Sequence, residues 1–239
     1  MAYILENQIL KVTIAEQGAE LISVYDKENA AERMWDANPN VWNRHAPILF
    51  PFVGKVTNGI YRYKNQEYQM KIQHGFARDL PFICESSTQQ SVTYSLTSNP
   101  ATKEIYPFDF KLFVTHSLDP ENDRILKIQW QIKNTGTESM YYSIGGHPGF
   151  RTPFQAGEAR EDYYLEFPGK KTLHYLLLNP ATGFVIPNST YHLELENGFC
   201  PIEKTMFDRD ALIFENTQVE TVRIAKPNKS PYITLTCKG

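Results

Sequence analysis

The stretch Lys127-Ile128-Gln129-Trp130-Gln131-Ile132-Lys133 carries the pattern that decides the fold class. Its apolar residues occupy every second position, so Ile128, Trp130 and Ile132 share one face of an extended chain and the polar residues share the other. Asn134-Thr135-Gly136 follows directly, and these residue types favour a turn. The stretch therefore predicts a half-buried strand of an antiparallel sheet.

The same alternation recurs along the whole chain. Residues 61–63 and 68–72 flank Lys64-Asn65-Gln66 and predict a β-hairpin. Helical periodicity is nearly absent, although Asn99-Pro100 favours one short helix, because Asn caps a helix and Pro fits its first turn. The other alternating sets are Leu10/Val12/Ile14, Val92/Tyr94/Leu96, Leu112/Val114/His116/Leu118, Val222/Ile224 and Ile233/Leu235. Many short strands of this kind predict an all-β protein, a large antiparallel β-sandwich with very little helix.

Composition narrows the function classes. The net charge of −3 at pH 7 argues against a nucleic-acid or lipid-surface partner. The N-terminus lacks a secretory signal, and no apolar stretch is long enough to span a membrane. The three cysteines show no CxxC or Cys/His spacing, which argues against a disulfide framework and a structural metal. We expect a soluble cytoplasmic protein, and with no linker or repeat we expect one domain over residues 1–239.

Two histidines stand in unusual local sequences. His74 lies in Gln73-His74-Gly75-Phe76-Ala77-Arg78-Asp79, directly after a strand pattern. His147 lies in Gly145-Gly146-His147-Pro148-Gly149-Phe150, after an apparent strand at residues 140–144. Glycine around an imidazole indicates a chain that must turn tightly or approach another group closely. From the residues alone, a pair of proton-transfer groups and a pair of ordinary turn histidines are equally supported.

The remaining histidines have plainer interpretations. His116 falls on an apolar strand face and is typical of a hydrogen-bonded core histidine. His45, His174 and His192 have no chemical neighbours in the sequence that indicate a function. Neither a His-x-His nor a His-x3-His pair occurs, so a metal site is not expected. The absence of Gly-x-Ser-x-Gly, Walker and dinucleotide fingerprints argues against acyl transfer, NTP hydrolysis and NAD chemistry.

Two charged positions are candidates for ligand contacts. Asp210 stands in Asp208-Arg209-Asp210-Ala211-Leu212-Ile213-Phe214, where acidic residues lead into an apolar run that reads as a strand. A charged surface turn is the simpler interpretation on spacing alone. Lys55 ends Phe50-Pro51-Phe52-Val53-Gly54-Lys55, and the alternative there is an ordinary exposed lysine.

These motifs together resemble the aldose 1-epimerase (galactose mutarotase) family, within it the LacX-like branch. The likeness extends from Gly18-Ala19-Glu20-Leu21 through residues 47–54, 74–78 and 146–150 to residues 210–214. The resemblance implies a β-sandwich of the galactose mutarotase type with a sugar cleft across one sheet. It also implies cofactor-free interconversion of the α and β anomers of an aldose such as galactose or glucose, hence an isomerase of carbohydrate metabolism.

The resemblance assigns roles residue by residue. His147 matches the general acid that acts on the ring oxygen, and His74 matches the histidine that binds and polarises the same region. Asp210 matches the acceptor for sugar hydroxyls, with Asp208 as an alternative two residues away. Arg78 is a candidate substrate contact, and Lys55 stands where the family commonly has arginine.

The family's general base is a glutamate beyond the strand that matches residues 232–236, and no residue of this sequence matches it. We therefore expect the chain to lack its C-terminal segment. If the sequence is the whole protein, it should run the two-group mechanism poorly, and if C-terminal residues are missing, the longer protein should be an active mutarotase. Alternatives are a non-catalytic carbohydrate-binding protein and a hexose-6-phosphate mutarotase. The expected partner is a small sugar, the expected assembly is a monomer or homodimer, and no cofactor or metal is expected.

Overall fold

The computed structural model describes residues 1–238, which form two compact units. The first unit comprises Met1–Arg151, and the second begins at Thr152. Nearly all regular elements are antiparallel strands, in agreement with the predicted all-β class. No helix within residues 1–238 has the length and apolar character that a membrane crossing requires.

The first unit contains twelve strands and one α-helix. They are β1 (Ala2–Glu6), β2 (Leu10–Ala15), β3 (Leu21–Asp26), β4 (Ala31–Glu32), β5 (Ile48–Leu49), β6 (Ile60–Tyr63), β7 (Gln66–Gln69), β8 (Ile83–Thr88), β9 (Ser91–Thr97), α1 (Pro100–Ile105), β10 (Phe110–Leu118), β11 (Leu126–Asn134) and β12 (Gly145–Gly146). Single 3₁₀ turns cover Thr57–Gly59 and Ala77–Asp79.

Two four-stranded sheets dominate this unit, in the orders β1-β2-β3-β4 and β11-β10-β9-β8. The alternation of apolar residues drives their burial: Val12 and Ile14 on β2, and Leu112 and Val114 on β10, are inaccessible to solvent. These faces belong to one hydrophobic core that also contains Phe50. Two small pairs, β5 with β12 and β6 with β7, complete the unit.

The stretch that first indicated the fold class forms β11, as predicted, at the edge of its sheet. Its residues pair with β10, and Trp130 lies opposite Val114. The apolar face is only partly covered, since Ile128 is 42% exposed. The predicted helix also forms, and Asn99 caps it: the Asn99 side chain accepts a hydrogen bond from the Thr102 N–H at 3.0 Å.

The predicted hairpin forms with shifted bounds. Lys64 and Asn65 both have positive φ (48° and 63°), the geometry of a two-residue turn whose twist matches that of the flanking strands. Gln66 therefore belongs to β7, which ends at Gln69 and does not continue to residue 72.

The strand expected at residues 140–144 is absent. Ser143 instead makes isolated contacts with a neighbouring loop, donating its N–H to the Pro51 carbonyl at 2.9 Å and accepting the Val53 N–H on Oγ at 3.0 Å. Tyr141 and Tyr142 are 66% and 47% exposed. Only Gly145 and Gly146 pair in a ladder, so a two-residue strand precedes His147.

Over residues 152–238, the second unit contains six strands and a 3₁₀ turn at Arg160–Asp162. They are β13 (Tyr164–Glu166), β14 (Thr172–Tyr175), β15 (Tyr191–Glu194), β16 (Phe199–Pro201), β17 (Thr221–Ala225) and β18 (Pro231–Thr236). Four make a sheet in the order β16-β13-β17-β18, and β14 pairs with β15. The predicted strands around Val222 and Ile233 correspond to β17 and β18.

Candidate functional site

His74 is presented by a tight turn in the first unit. His74 has φ 66° and Gly75 has φ 69°, so two successive residues adopt the left-handed conformation. A Cβ on Gly75 would lie 2.2 Å from the Phe50 carbonyl oxygen, so only glycine lets the two loops touch. The His74 N–H donates to the Gly54 carbonyl at 2.8 Å, which joins the turn to the Phe50–Gly54 loop.

The ring of His74 is fixed in one tautomer. The Gly54 N–H donates to its Nδ1 at 2.9 Å, so Nδ1 is an acceptor and the proton of the neutral ring is on Nε2. Nε2 lies 3.1 Å from the amide nitrogen of the Gln73 side chain. Both of these nitrogens carry protons in this tautomer, so the Gln73 amide must turn by about 180°, which brings Oε1 to the ring, before Nε2–H has an acceptor there. His74 can thus donate a hydrogen bond without changing its protonation.

His147 is held through its backbone and one aromatic neighbour. Its N–H donates to the Pro47 carbonyl at 3.1 Å, next to the short β5–β12 pair. The Trp42 ring lies against the imidazole, with centroids 5.0 Å apart. Trp42 comes this close because Gly149 has no side chain: a Cβ there would lie 2.8 Å from the indole. The ring of His147 remains exposed.

The structure brings the two histidines together. Their ring centroids are 5.9 Å apart and the ring planes are inclined by 51°. Seventy-three residues of sequence separate them, and the contact results from packing of the loops after β5, β7 and β12. A polar atom placed between the rings could contact a fixed donor on one side and an exposed imidazole on the other.

Arg78 supports the turn that carries His74. Its Nη2 donates to the Gln73 carbonyl at 2.6 Å, and its side chain is only 13% exposed. Burial, followed by the neighbouring Arg44, lowers the pKa of Arg78. Asp79 binds Arg44 at 2.6 Å and lies 3.8 Å from Arg78 Nε. Arg78 as a direct sugar contact stays a prediction.

Lys55 and Asp210 occupy different surroundings. Lys55 is exposed and directly follows Gly54, the residue that contacts His74 through both backbone groups. Asp210 belongs to the second unit, in an exposed turn, with φ 70°. The prediction of a strand directly after Asp210 is wrong, because Ile213 makes only an isolated β-bridge, to Leu176. The binding roles of both residues stay predictions.

The sequence did not predict the side chains that contact His74 and His147. Gln73 is a sequence neighbour of His74, which was the available signal, whereas nothing local linked Trp42 to His147. His116 is buried as expected and its Nε2 lies 2.9 Å from the Ala19 carbonyl, but its Nδ1 has no hydrogen-bond partner in the part of the chain that the structure describes. Within residues 1–238, no three His, Cys, Asp or Glu side chains lie close enough together to hold a metal ion.

Comparison with known proteins identifies the family. The family model for aldose 1-epimerase matches residues 1–230. The chain belongs to the aldose 1-epimerase family. The predicted resemblance is therefore confirmed.

Individual relatives agree with this assignment. Protein LacX (chromosomal) of Lactococcus lactis subsp. lactis is 32% identical over 226 residues, which cover 92% of this chain and 74% of LacX. The structure of a galactose mutarotase related enzyme from Lactobacillus acidophilus superposes with a TM-score of 0.87 at 35% identity, over 95% of this chain and 73% of that one. This likeness confirms the predicted type of β-sandwich.

A third relative is more distant in sequence. A Salmonella typhimurium protein, whose name gives glucose-6-phosphate 1-epimerase as a provisional activity, is 23% identical over 214 residues. The match covers 81% of this chain and 68% of that protein.

Proposed function

We propose that this member of the aldose 1-epimerase family is a mutarotase that interconverts the α and β anomers of a free aldose such as galactose or glucose. The observation that carries the proposal is the pairing of His74 with His147, whose ring centroids are 5.9 Å apart on an accessible surface. Two adjacent imidazoles with different hydrogen-bonding constraints match the needs of this reaction.

The reaction moves two protons. One must reach the ring oxygen and one must leave the anomeric hydroxyl, after which the bond between C1 and the ring oxygen opens. Rotation about the C1–C2 bond and reclosure on the other face of the aldehyde give the second anomer. A positioned group that transfers one of these protons contributes about 10²- to 10⁴-fold in rate.

We assign the proton delivered to the ring oxygen to His147. Among the described residues 1–238, none makes a hydrogen bond that fixes the tautomer of the His147 ring, whereas the Gly54 N–H fixes that of His74. The exposure of His147 leaves it open to substrate. Trp42 limits the orientation of the imidazole, which keeps a ring nitrogen directed to one place.

We assign a fixed donor role to His74. Because the Gly54 N–H occupies Nδ1, protonation of that nitrogen would break a backbone hydrogen bond. The Nε2–H can exchange the Gln73 amide for a sugar oxygen and polarise it. His74 thus binds the region of the substrate that His147 protonates.

The remaining parts of the proposal come from the family resemblance. Arg78, Lys55 and Asp210 are the proposed sugar-binding residues. The proton of the anomeric hydroxyl needs an acceptor, for which the family uses a glutamate that no residue of this sequence matches. Our proposal therefore commits only the two histidines to the chemical step.

Polarimetry on freshly dissolved α-galactose or α-glucose tests the proposal. We expect the protein to accelerate the change in rotation above the buffer rate, although less than an enzyme that also has a carboxylate base. His147→Gln should remove most of that acceleration, because a positioned proton-transfer group contributes about 10²- to 10⁴-fold. His45→Gln, a matched change outside the pair, should leave the rate unchanged.

Sugar binding is measured in parallel by ligand-observed NMR. His147→Gln should still bind, because the other contacts remain. If the unaltered protein binds the sugar and leaves its anomerisation at the buffer rate, the protein is a carbohydrate-binding relative and the enzymatic proposal fails.

A further inference from the structure

The second unit holds another pair of histidines, which the proposed reaction does not use. Strands β14 and β15 are antiparallel, and their register places His174 directly opposite His192. The two rings are 4.7 Å apart between centroids, with an angle of 78° between their planes. Both side chains are exposed.

The backbone explains why the rings are so close. His174 directs its N–H and its carbonyl to the side-chain amide of Gln218, at 3.0 Å each. The flanking Leu195 N–H donates to the Lys171 carbonyl at 2.9 Å. His174 and His192 therefore form a non-hydrogen-bonded cross-strand pair, the position at which facing side chains approach most closely.

Other groups on this face add to the pair. Residues two apart on a strand share a face, so Glu194 stands beside His192 and Thr172 beside His174. Thr172 Oγ1 donates to Glu194 Oε2 at 2.9 Å, so the carboxylate is held by its cross-strand partner on this face of the hairpin. Two imidazoles and one neighbouring carboxylate thus occupy the same exposed surface.

We propose that His174 and His192 form a binding site for a divalent transition-metal ion of the Zn²⁺, Ni²⁺ or Cu²⁺ class. Imidazole is the commonest protein ligand for such ions and a poor ligand for Mg²⁺ and Ca²⁺. The register fixes the two Cα atoms, so metal binding requires only rotation of two exposed rings until one nitrogen of each faces the ion. Water completes the coordination, because no third His, Cys, Asp or Glu side chain within residues 1–238 lies close enough to the pair to share the ion.

A pair of ligands predicts a particular behaviour. Each imidazole alone binds weakly, and holding two of them across one hairpin raises the effective concentration of the second. Removal of either histidine should therefore weaken metal binding by at least about tenfold. Even mutation of a residue that hydrogen-bonds to a metal ligand costs about 10- to 100-fold in metal affinity. Affinity should follow Cu²⁺ over Ni²⁺, in the general order for nitrogen ligands.

The proposal is tested by titrating the purified full chain with Ni²⁺ or Zn²⁺. Calorimetry measures the binding, and NMR of the histidine ring protons shows which histidines respond. We expect His174 and His192 to respond first, and His174→Gln or His192→Gln to weaken binding at least about tenfold. Both residues are exposed, so these variants should fold, which circular dichroism checks. Mg²⁺ should produce no response.

The His74 and His147 pair is the internal comparison. His147→Gln should leave the response of His174 and His192 to Ni²⁺ unchanged, which separates the two pairs. If the double variant His174→Gln/His192→Gln binds Ni²⁺ as tightly as the unaltered chain, the assignment is overturned, and the two rings serve only to pack against each other across the hairpin.

Discussion

Gly75 shows at the residue scale how strongly one position is constrained. Gly75 has φ 69°, and a Cβ added to it would lie 2.2 Å from the Phe50 carbonyl oxygen. We expect Gly75→Ala to destabilise the protein by at least about 3 kcal/mol, since backbone strain and a backbone clash add. Gly54→Ala is the control, because Gly54 has φ 90° and open space around it.

Urea denaturation measures both changes. Gly54→Ala should cost only about 1 to 2 kcal/mol, from the backbone conformation alone. Equal losses in the two variants would show that the contact with Phe50 is not what demands glycine at residue 75.

His116 makes the stability of the fold depend on pH. Complete burial lowers its pKa to about 4, against a smaller opposing effect of the Ala19 carbonyl. Between about pH 6.5 and pH 4 the unfolded chain therefore binds one more proton than the folded chain, and the free energy of unfolding decreases as the pH is lowered. The full loss from this group is about 3 kcal/mol.

His116→Gln tests that dependence. Glutamine can keep a donor for the Ala19 carbonyl and does not titrate, so the variant should lose less stability than the unaltered protein between about pH 7 and pH 4.5. Urea unfolding at several pH values measures the difference. An unchanged slope would assign the acid sensitivity to other groups.

At the scale of elements, the β3–β4 turn depends on one buried ion pair. Asp26 Oδ2 binds Arg33 Nη2 at 2.5 Å, while Asp26 Oδ1 accepts the N–H groups of Glu28 and Asn29 at 3.0 and 3.1 Å. Burial raises the pKa of Asp26, but hydrogen bonds from Arg33 and Asn29 outweigh it and lower the value to about 2.

We expect Asp26→Asn to cost about 3 kcal/mol, because the amide keeps an acceptor for the turn and removes the charge that compensates Arg33. The exposed pair of Arg62 and Glu67, whose side chains are 75% and 53% accessible, supplies the control. Glu67→Gln should change the free energy of unfolding by less than about 1 kcal/mol. Equal effects in urea denaturation would contradict the importance of burial.

At the scale of the whole molecule, the charge distribution predicts the kind of sugar that is accepted. Two cations near the His74 turn are engaged: Arg44 binds Asp79, and Arg78 contacts Asp79 and donates to the Gln73 carbonyl. Lys55, which follows Gly54, is exposed but is a single cation. A phosphate site needs several cationic donors free to face one anion. We therefore expect free aldoses to be better substrates than their 6-phosphates.

Anomer-resolved NMR on α-glucose and α-glucose 6-phosphate at matched concentration and ionic strength checks this expectation. A larger specificity constant for the phosphorylated sugar would reverse this expectation and would favour a hexose-6-phosphate mutarotase.

The sequence alone determined the local elements whose pattern is self-contained. Alternation fixed the strands around Val12, Val114 and Trp130, because the two faces of a strand can be read from a period of two. Asn99-Pro100 fixed the helix start, because a cap needs only nearby atoms. Glycines beside His74 and His147 marked the loops that form the candidate site.

Only the tertiary structure decided which side chains meet. Residues 140–144 look like a strand, yet the N–H and the hydroxyl of Ser143 bond to the loop of Pro51 and Val53 and the segment joins no ladder before Gly145. Trp42 contacts His147, and the strand register places His174 opposite His192. Both contacts join segments that are distant in the sequence. Such contacts depend on how whole strands and loops pack, and no local pattern of residues encodes which distant segments come together.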